Sequence, residues 1–261
     1  MFPHHLRRRK TPEPKPDRRQ RRGGLGAFLA RTLGFVILFA AIGLGGIILG
    51  PGLPDRYNPM SALDPTAPAG PFTALKLARL ERDPEQCFAL LDTLPDLRFV
   101  RLPDRNASAQ CHIRGHAQVR GLSQASLRRV STRCSVAVRL YMWERHVVQP
   151  AALRYLGGPI AEIEHLDSYS CRRINTPSGP GESMSSHARA QAIDISAVVL
   201  ENQNTLTLQS GWMTNDINER AFWRQLRNGA CDYFRAVLSP DFNQLHADHF
   251  HLQEGGYSAC R

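Results

Sequence analysis

Two segments of the chain hold side chains whose types and spacing can do chemistry: SMSSHARAQAIDIS at 183–196 and QLHADHFHLQ at 244–253. The first sets His187 seven residues ahead of Asp194, and the second gathers His246, Asp248, His249 and His251. A hydrolytic zinc centre uses three protein ligands and leaves a fourth position open, because the ion must acidify a water molecule and polarise the bond under attack. His187, Asp194 and one of the later histidines meet that count. Side chains alternate along a strand, so His249 and His251 share one face while Phe250 turns into the core. One imidazole can then bind metal while its neighbour meets the water. A single His-x-His carries little weight in a chain with ten histidines. The joint pattern carries more: Ser-x-His, an Asp seven residues later, a strong helix, then a histidine cluster. Two histidines and one carboxylate also make the facial triad of non-haem iron oxygenases. The run of jelly-roll strands expected there is missing.

The elements that must position these residues follow from periodicity. Ala192 to Val199 alternates as a strand, preceded by the polar loop Ser168 to Ser186 and by a short strand at Ile160-Ala-Glu-Ile. Asn218 to Leu238 is the most convincing helix, with Phe222, Leu226, Tyr233, Phe234 and Val237 as its apolar stripe. Cys134 to Leu156 has helical spacing, with Pro150 starting a second piece. Between residues 72 and 122, two short helices precede short alternating strands. The predicted fold is α+β: a small antiparallel sheet carrying the zinc site, flanked by helices, with an N-terminal transmembrane helix. The predicted divisions are a basic tail at 1–31, an anchor at 32–50, and an extended, mobile Pro-rich linker at 51–71. A Cys-containing subdomain at 72–125 and the site-bearing domain at 126–261 follow.

Charge and hydropathy place the chain at a membrane. Residues 1–31 carry ten Lys and Arg against Glu13 and Asp17, a net of +8 of the +10 for the whole chain. The remainder is nearly neutral, which argues against a nucleic-acid-binding face. Leu33 to Gly50 has no charge and no hydrogen-bonding side chain, and at 1.5 Å per residue its eighteen residues reach about 27 Å, close to the hydrocarbon thickness. Basic residues before this run and few after it put the N-terminus in the cytoplasm and the body outside, as a type II signal anchor. A cleaved signal peptide is the rival, disfavoured by the length of the run and the lack of an A-x-A site before Pro51. All six cysteines lie beyond the apolar run and no C-x-x-C occurs, which reads as three disulfides in an oxidising compartment. Fifteen pairings remain open.

The motif Ser185-x-His187-x-x-x-x-Ala192-x-Asp194, followed by His249-x-His251, resembles the zinc peptidase superfamily of D-alanyl-D-alanine carboxypeptidases, related dipeptidases and murein endopeptidases. SYSCRRIN, SSHARAQAIDIS and HADHFHLQ more closely resemble the bacterial extensin-like C-terminal domain family, over roughly residues 80–261. The resemblance implies Zn2+ held by His187, Asp194 and His251, with His249 as general base. Asp248 stands where several relatives have a catalytic Glu and is a competing base, although strand alternation would turn it away from His249. His246 resembles an added active-site histidine. Arg172 resembles the arginine that steadies the tetrahedral intermediate or a substrate carboxylate. The implied substrates are peptidoglycan stem peptides and the implied place is the bacterial inner membrane, with the C-terminal domain periplasmic. Ala190 departs from the pattern, which has Gly there. If that residue needs positive φ, an alanine is strained and the site distorted. A non-catalytic wall-binding module that keeps the metal site is the alternative. Oligomeric state is left open.

Overall fold

A computed structural model of the chain describes residues 20–49 and 52–261, so residues 1–19 of the basic tail lie outside the described residues. Gln20–Leu49 is one helix, α1, which begins twelve residues ahead of the expected anchor. Its stretch Gly26–Gly46 has mean hydropathy 2.1 and none of it is buried, so it is long and apolar enough to cross a membrane and is not a core helix. Such a length, at 1.5 Å per residue, reaches about 31 Å.

Residues 54–261 form a second compact unit. In chain order it contains α2 (Thr73–Leu80), α3 (Pro84–Leu91), β1 (Arg98–Arg101), β2 (Arg105–Asn106), β3 (His112–Ile113), β4 (His116–Gly121), β5 (Ser126–Arg133), α4 (Cys134–Trp143) and α5 (Gln149–Tyr155). Then follow β6 (Ile160–Asp167), β7 (Arg173–Thr176), β8 (Gly179–Met184), β9 (Ala192–Leu200), β10 (Thr205–Thr207), α6 (Leu208–Gly211), α7 (Ile217–Ala230), β11 (Ala236–Leu238), β12 (Phe250–Gln253) and β13 (Ala259–Cys260). The α+β class is as expected, but the sheet is neither small nor purely antiparallel. Nine strands join in the order β1-β4-β5-β6-β9-β12-β11-β13, with β10 on β9. The β5–β6 and β11–β13 pairs are parallel. Of the short strands assigned to a separate subdomain, β1 and β4 extend the same sheet that carries the site, while β2 and β3 form a ribbon of their own.

The boundary expected at 125/126 is therefore corrected. It falls in the turn between the paired strands β4 and β5. Buried Glu144 pins that turn by accepting the backbone N–H of Ser123, Gln124 and Ala125 at 3.0–3.2 Å. The Cys87–Cys134 disulfide also crosses it, from α3 to the start of α4. The linker expectation fails for 54–71 too. Lys76, only 6% exposed, donates its ammonium to Asp55 O, Ser61 Oγ and Ala62 O at 2.8–3.2 Å, and Leu63 is buried. A buried ammonium must be fully hydrogen-bonded, so these three oxygens strap the Pro-rich stretch onto α2.

The core lies between the sheet and the helices. Ile193, Ile195, Phe250 and Leu252 point into it, where Phe250 meets the rings of Trp212 and Trp223. α7 starts where Asp216 accepts the N–H groups of Asn218 and Glu219 as its N-cap. It ends at Ala230, earlier than the predicted Leu238, because Ala236–Leu238 pairs with β12 as a strand. All six cysteines are paired: Cys87–Cys134, Cys111–Cys171 and Cys231–Cys260.

Candidate metal centre

Strands β9 and β12 are antiparallel, with Asp194 opposite His251. Their neighbours along each strand face the core, so alternation puts Asp194 and His251 together on the sheet face turned away from the helices. His187 arrives from outside the sheet on the 3-10 turn Ser186–Arg189, which Ser185 opens by accepting the His187 N–H at 3.3 Å. Ser185 thus acts as a turn residue.

All three side chains are buried and their ligating atoms lie within 4.8 Å of one another. His187 Nε2 is 3.1 Å from His251 Nδ1 and 3.2 Å from Asp194 Oδ1, and His251 Nδ1 is 2.9 Å from the same oxygen. The outer nitrogens are already engaged. His187 Nδ1 donates to the Ser168 carbonyl and His251 Nε2 donates to Gln253 Oε1, both at 3.1 Å. These partners fix the tautomers and turn two bare lone pairs toward the carboxylate. Three acceptors so close repel one another unless a cation, or a shared proton, sits among them. Tetrahedral zinc with bonds of 2.0–2.1 Å would separate its ligand atoms by about 3.3 Å, so the donor set fits that ion in kind and in spacing. Burial alone would raise the Asp194 carboxyl, but hydrogen bonds from the protonated form of either ring, and their charge, outweigh it. They hold the group far below the usual carboxylate range.

The other candidates divide into those at the centre and one beside it. His249 Nε2 lies 3.7 Å from Asp194 Oδ1, while its Nδ1 meets Asp248 Oδ1 at 2.8 Å. The expectation that alternation turns Asp248 away from His249 is therefore corrected, because β12 begins only at Phe250 and the rule does not reach 248–249. His246 comes from the 3-10 turn Gln244–His246 and is held by Asn243 Oδ1 at 2.7 Å, with its ring 5.3 Å from that of His249 and 5.9 Å from that of His251. Burial, with the positive character of His251 and His249, pushes it down to about 4. It therefore stays neutral at neutral pH. Arg172 is half-buried and its guanidinium donates to the Arg173 carbonyl rather than to any group of the triad. Only its backbone touches the site, where its carbonyl accepts the Ser185 N–H at 3.0 Å.

Ala190 adopts φ +50° and ψ 34°, the left-handed conformation that the departure from Gly put in question. An L-residue there costs about 1–2 kcal/mol, offset by the roughly 0.5–1 kcal/mol of extra chain entropy a glycine would lose on folding. The triad nevertheless converges, with the Ala190 N–H closing the turn on the His187 carbonyl at 3.0 Å. Ala190→Gly is accordingly expected to stabilise by at most about 1.5 kcal/mol, a rise in Tm of at most roughly 6 °C by calorimetry, with zinc affinity unchanged.

Reasoning from residue types missed Ser168 and Gln253, which orient the two imidazoles. Gln253 follows His251 by two on one strand face, a spacing that was available. Ser168 gave no such signal, because it meets His187 only through the folding of the 168–186 segment. That segment also holds the hairpin β7–β8 in place of the expected loop.

Residues 85–261, which include every residue of this centre, match the family described as extensin-like protein C-terminus, and the chain belongs to that family. No curated protein and no solved structure matches.

Proposed function

We propose that this chain is a zinc-dependent peptidase of the bacterial envelope, held at the inner membrane by α1 with its body in the periplasm, and acting on peptidoglycan stem peptides. The observation that carries the reading is the triad itself. Two buried imidazoles with engaged outer nitrogens turn their lone pairs on one carboxylate, and a third histidine, His249, stands beside them outside the triad. A zinc ion on His187, Asp194 and His251 would supply Lewis acidity and an acidified water at neutral pH. The chain's own residues supply the proton traffic. His249 accepts a proton at Nε2 from the attacking water and returns it to the leaving amine, while Asp248 on Nδ1 holds the ring and steadies its cationic form. Neutral His246 offers a hydrogen-bond partner at the rim. Arg172, on the strip that pairs with Ser185, is the candidate to hold a substrate carboxylate once its side chain turns from Arg173.

The substrate class rests on the resemblance to the murein peptidases. The anchored topology rests on α1 and the charge before it, and the three disulfides support an oxidising compartment. The test is incubation of the zinc-loaded full chain, in detergent, with murein-derived stem peptides and cross-linked dimers, followed by mass spectrometry. Loss of a residue or of a cross-link, abolished by a chelator and restored by zinc, is the expected result. A protein that binds zinc and cleaves none of them is instead the non-catalytic wall-binding module, a reading that the left-handed Ala190 favours.

A further inference from the structure

The centre depends on a strip of chain that belongs to no part of the main sheet. Residues 168–172 run between the end of β6 and the start of β7, and they form the outer wall of the turn that carries His187. The Ser168 carbonyl accepts His187 Nδ1 at 3.1 Å, the Ser170 N–H donates to the His187 carbonyl at 3.0 Å, and the Arg172 carbonyl accepts the Ser185 N–H. The entry to this strip is strained, since Asp167 has φ 115°. Cys171 sits inside the strip, between two of those three contacts, and is bonded to Cys111. Cys111 belongs to the separate ribbon β2–β3, where its carbonyl accepts the N–H groups of Ala107 and Ser108, and it is 2% exposed. The same ribbon lays the Arg105 guanidinium on the Tyr169 ring at 4.4 Å. The other disulfides do different work: Cys87–Cys134 staples α3 to α4, and Cys231–Cys260 ties the end of α7 to β13.

We infer that Cys171 is a positioning residue: its disulfide to Cys111 holds the Ser170 N–H and the Arg172 carbonyl against the turn that carries His187, so that zinc affinity depends on that bond being oxidised. This deepens the zinc reading above and rests on it. The bond closes a loop of 60 residues in sequence, and breaking it returns that freedom to residues 169–172, which beyond the anchored Ser168 are held by one hydrogen bond each at Ser170 and Arg172 and by one ring contact. Cys171 is exposed, so a thiol reaches it. Two thiols deliver two electrons and two protons, the S–S bond becomes two cysteine thiols, and the reductant leaves as its own disulfide. The turn that carries His187 then loses its outer hydrogen-bond partners at Ser170 and Arg172, while Ser168 stays anchored by its own hydroxyl on Thr132 and the Ala192 carbonyl. Loss of such an outer partner typically weakens metal affinity 10- to 100-fold. In a reducing compartment the chain would hold zinc poorly, and the centre would mature only where the disulfides form.

The test uses the full chain in detergent, titrated with Zn2+ against a chromophoric chelator and with Co2+ by visible absorption. The Cys111→Ser, Cys171→Ser variant is expected to bind Zn2+ about 10- to 100-fold more weakly and to show altered Co2+ bands. The Cys231→Ser, Cys260→Ser variant is expected to lose thermal stability but keep the wild-type affinity. Because the first variant can fail to fold, the wild type is also equilibrated in a glutathione redox buffer, with and without excess Zn2+, and its cysteines mapped by alkylation. Linkage is reciprocal, so zinc must stabilise the Cys111–Cys171 bond by the same factor, about 30–60 mV, and leave Cys231–Cys260 where it was. Wild-type affinity in a folded Cys111→Ser, Cys171→Ser variant, or a redox equilibrium that zinc does not move, overturns the inference while the zinc centre stands. No zinc bound by the wild type overturns both.

Discussion

The full chain, purified oxidised in detergent, is expected to bind one Zn2+ ion, and the His187→Ala, His251→Ala double variant is expected to bind none. The argument lies in the donor set. Three acceptor atoms stand 2.9–3.2 Å apart in a buried site, and a proton is a poor substitute for a cation that would satisfy all three. The two histidine side chains are 3% and 11% exposed, so neither is solvated enough to relieve the crowding. Zinc binding to the folded chain alone should stabilise it by about 4 kcal/mol when free zinc is a thousandfold above Kd. For a folded body of this size that is a rise in Tm of roughly 8–16 °C. Asp194→Asn keeps the shape but removes the charge, and should fall between wild type and double variant in affinity. Metal content by mass spectrometry and a melting curve with and without zinc check all three. A wild type that takes up no zinc, or a double variant whose Tm rises as much, sinks the metal centre.

Much of this centre could be read before any fold was known, for a physical reason. Asp194 and His251 lie on strands, where alternation with Ile193, Ile195, Phe250 and Leu252 dictates the face each residue takes. Their partnership across β9 and β12 is not local, yet each strand buries an ionisable side chain among apolar neighbours, and such groups need polar partners. Asp248 was misjudged because the same rule was applied two residues ahead of the strand. Arg172 was placed by its motif, and the motif fixes only its backbone, beside Ser185; the side chain takes its direction from Arg173. The extent of the sheet was hidden for another reason. Strands β1, β4 and β5 lie far in sequence from β9, and nothing local records that β5 runs parallel to β6. The linker was misread because six prolines suggest extension, while the feature that pins it, the Lys76 ammonium, lies outside it on α2.

His249→Ala is expected to lower the rate of stem-peptide cleavage by about 10²- to 10⁴-fold with zinc content unchanged. His249 is the one histidine of the cluster whose inner nitrogen approaches the triad without belonging to it, at 3.7 Å from Asp194 Oδ1. Its other nitrogen is tied to Asp248 at 2.8 Å. That arrangement separates the two candidate bases. Asp248 is more than half exposed and reaches the centre only through the imidazole, which makes it the orienting partner of His249. Asp248→Asn should therefore cost less, about 10- to 100-fold, through lost alignment. The order of the two effects is the decisive quantity. If Asp248→Asn were the more damaging, the carboxylate would be the base and His249 its support. If both variants cleaved as the wild type does, the proton would travel by another route, with His246 the next histidine in the cluster. Loss of zinc from His249→Ala would instead make His249 a ligand. Each outcome is read from the same pair of measurements, cleavage rate and metal content on one preparation.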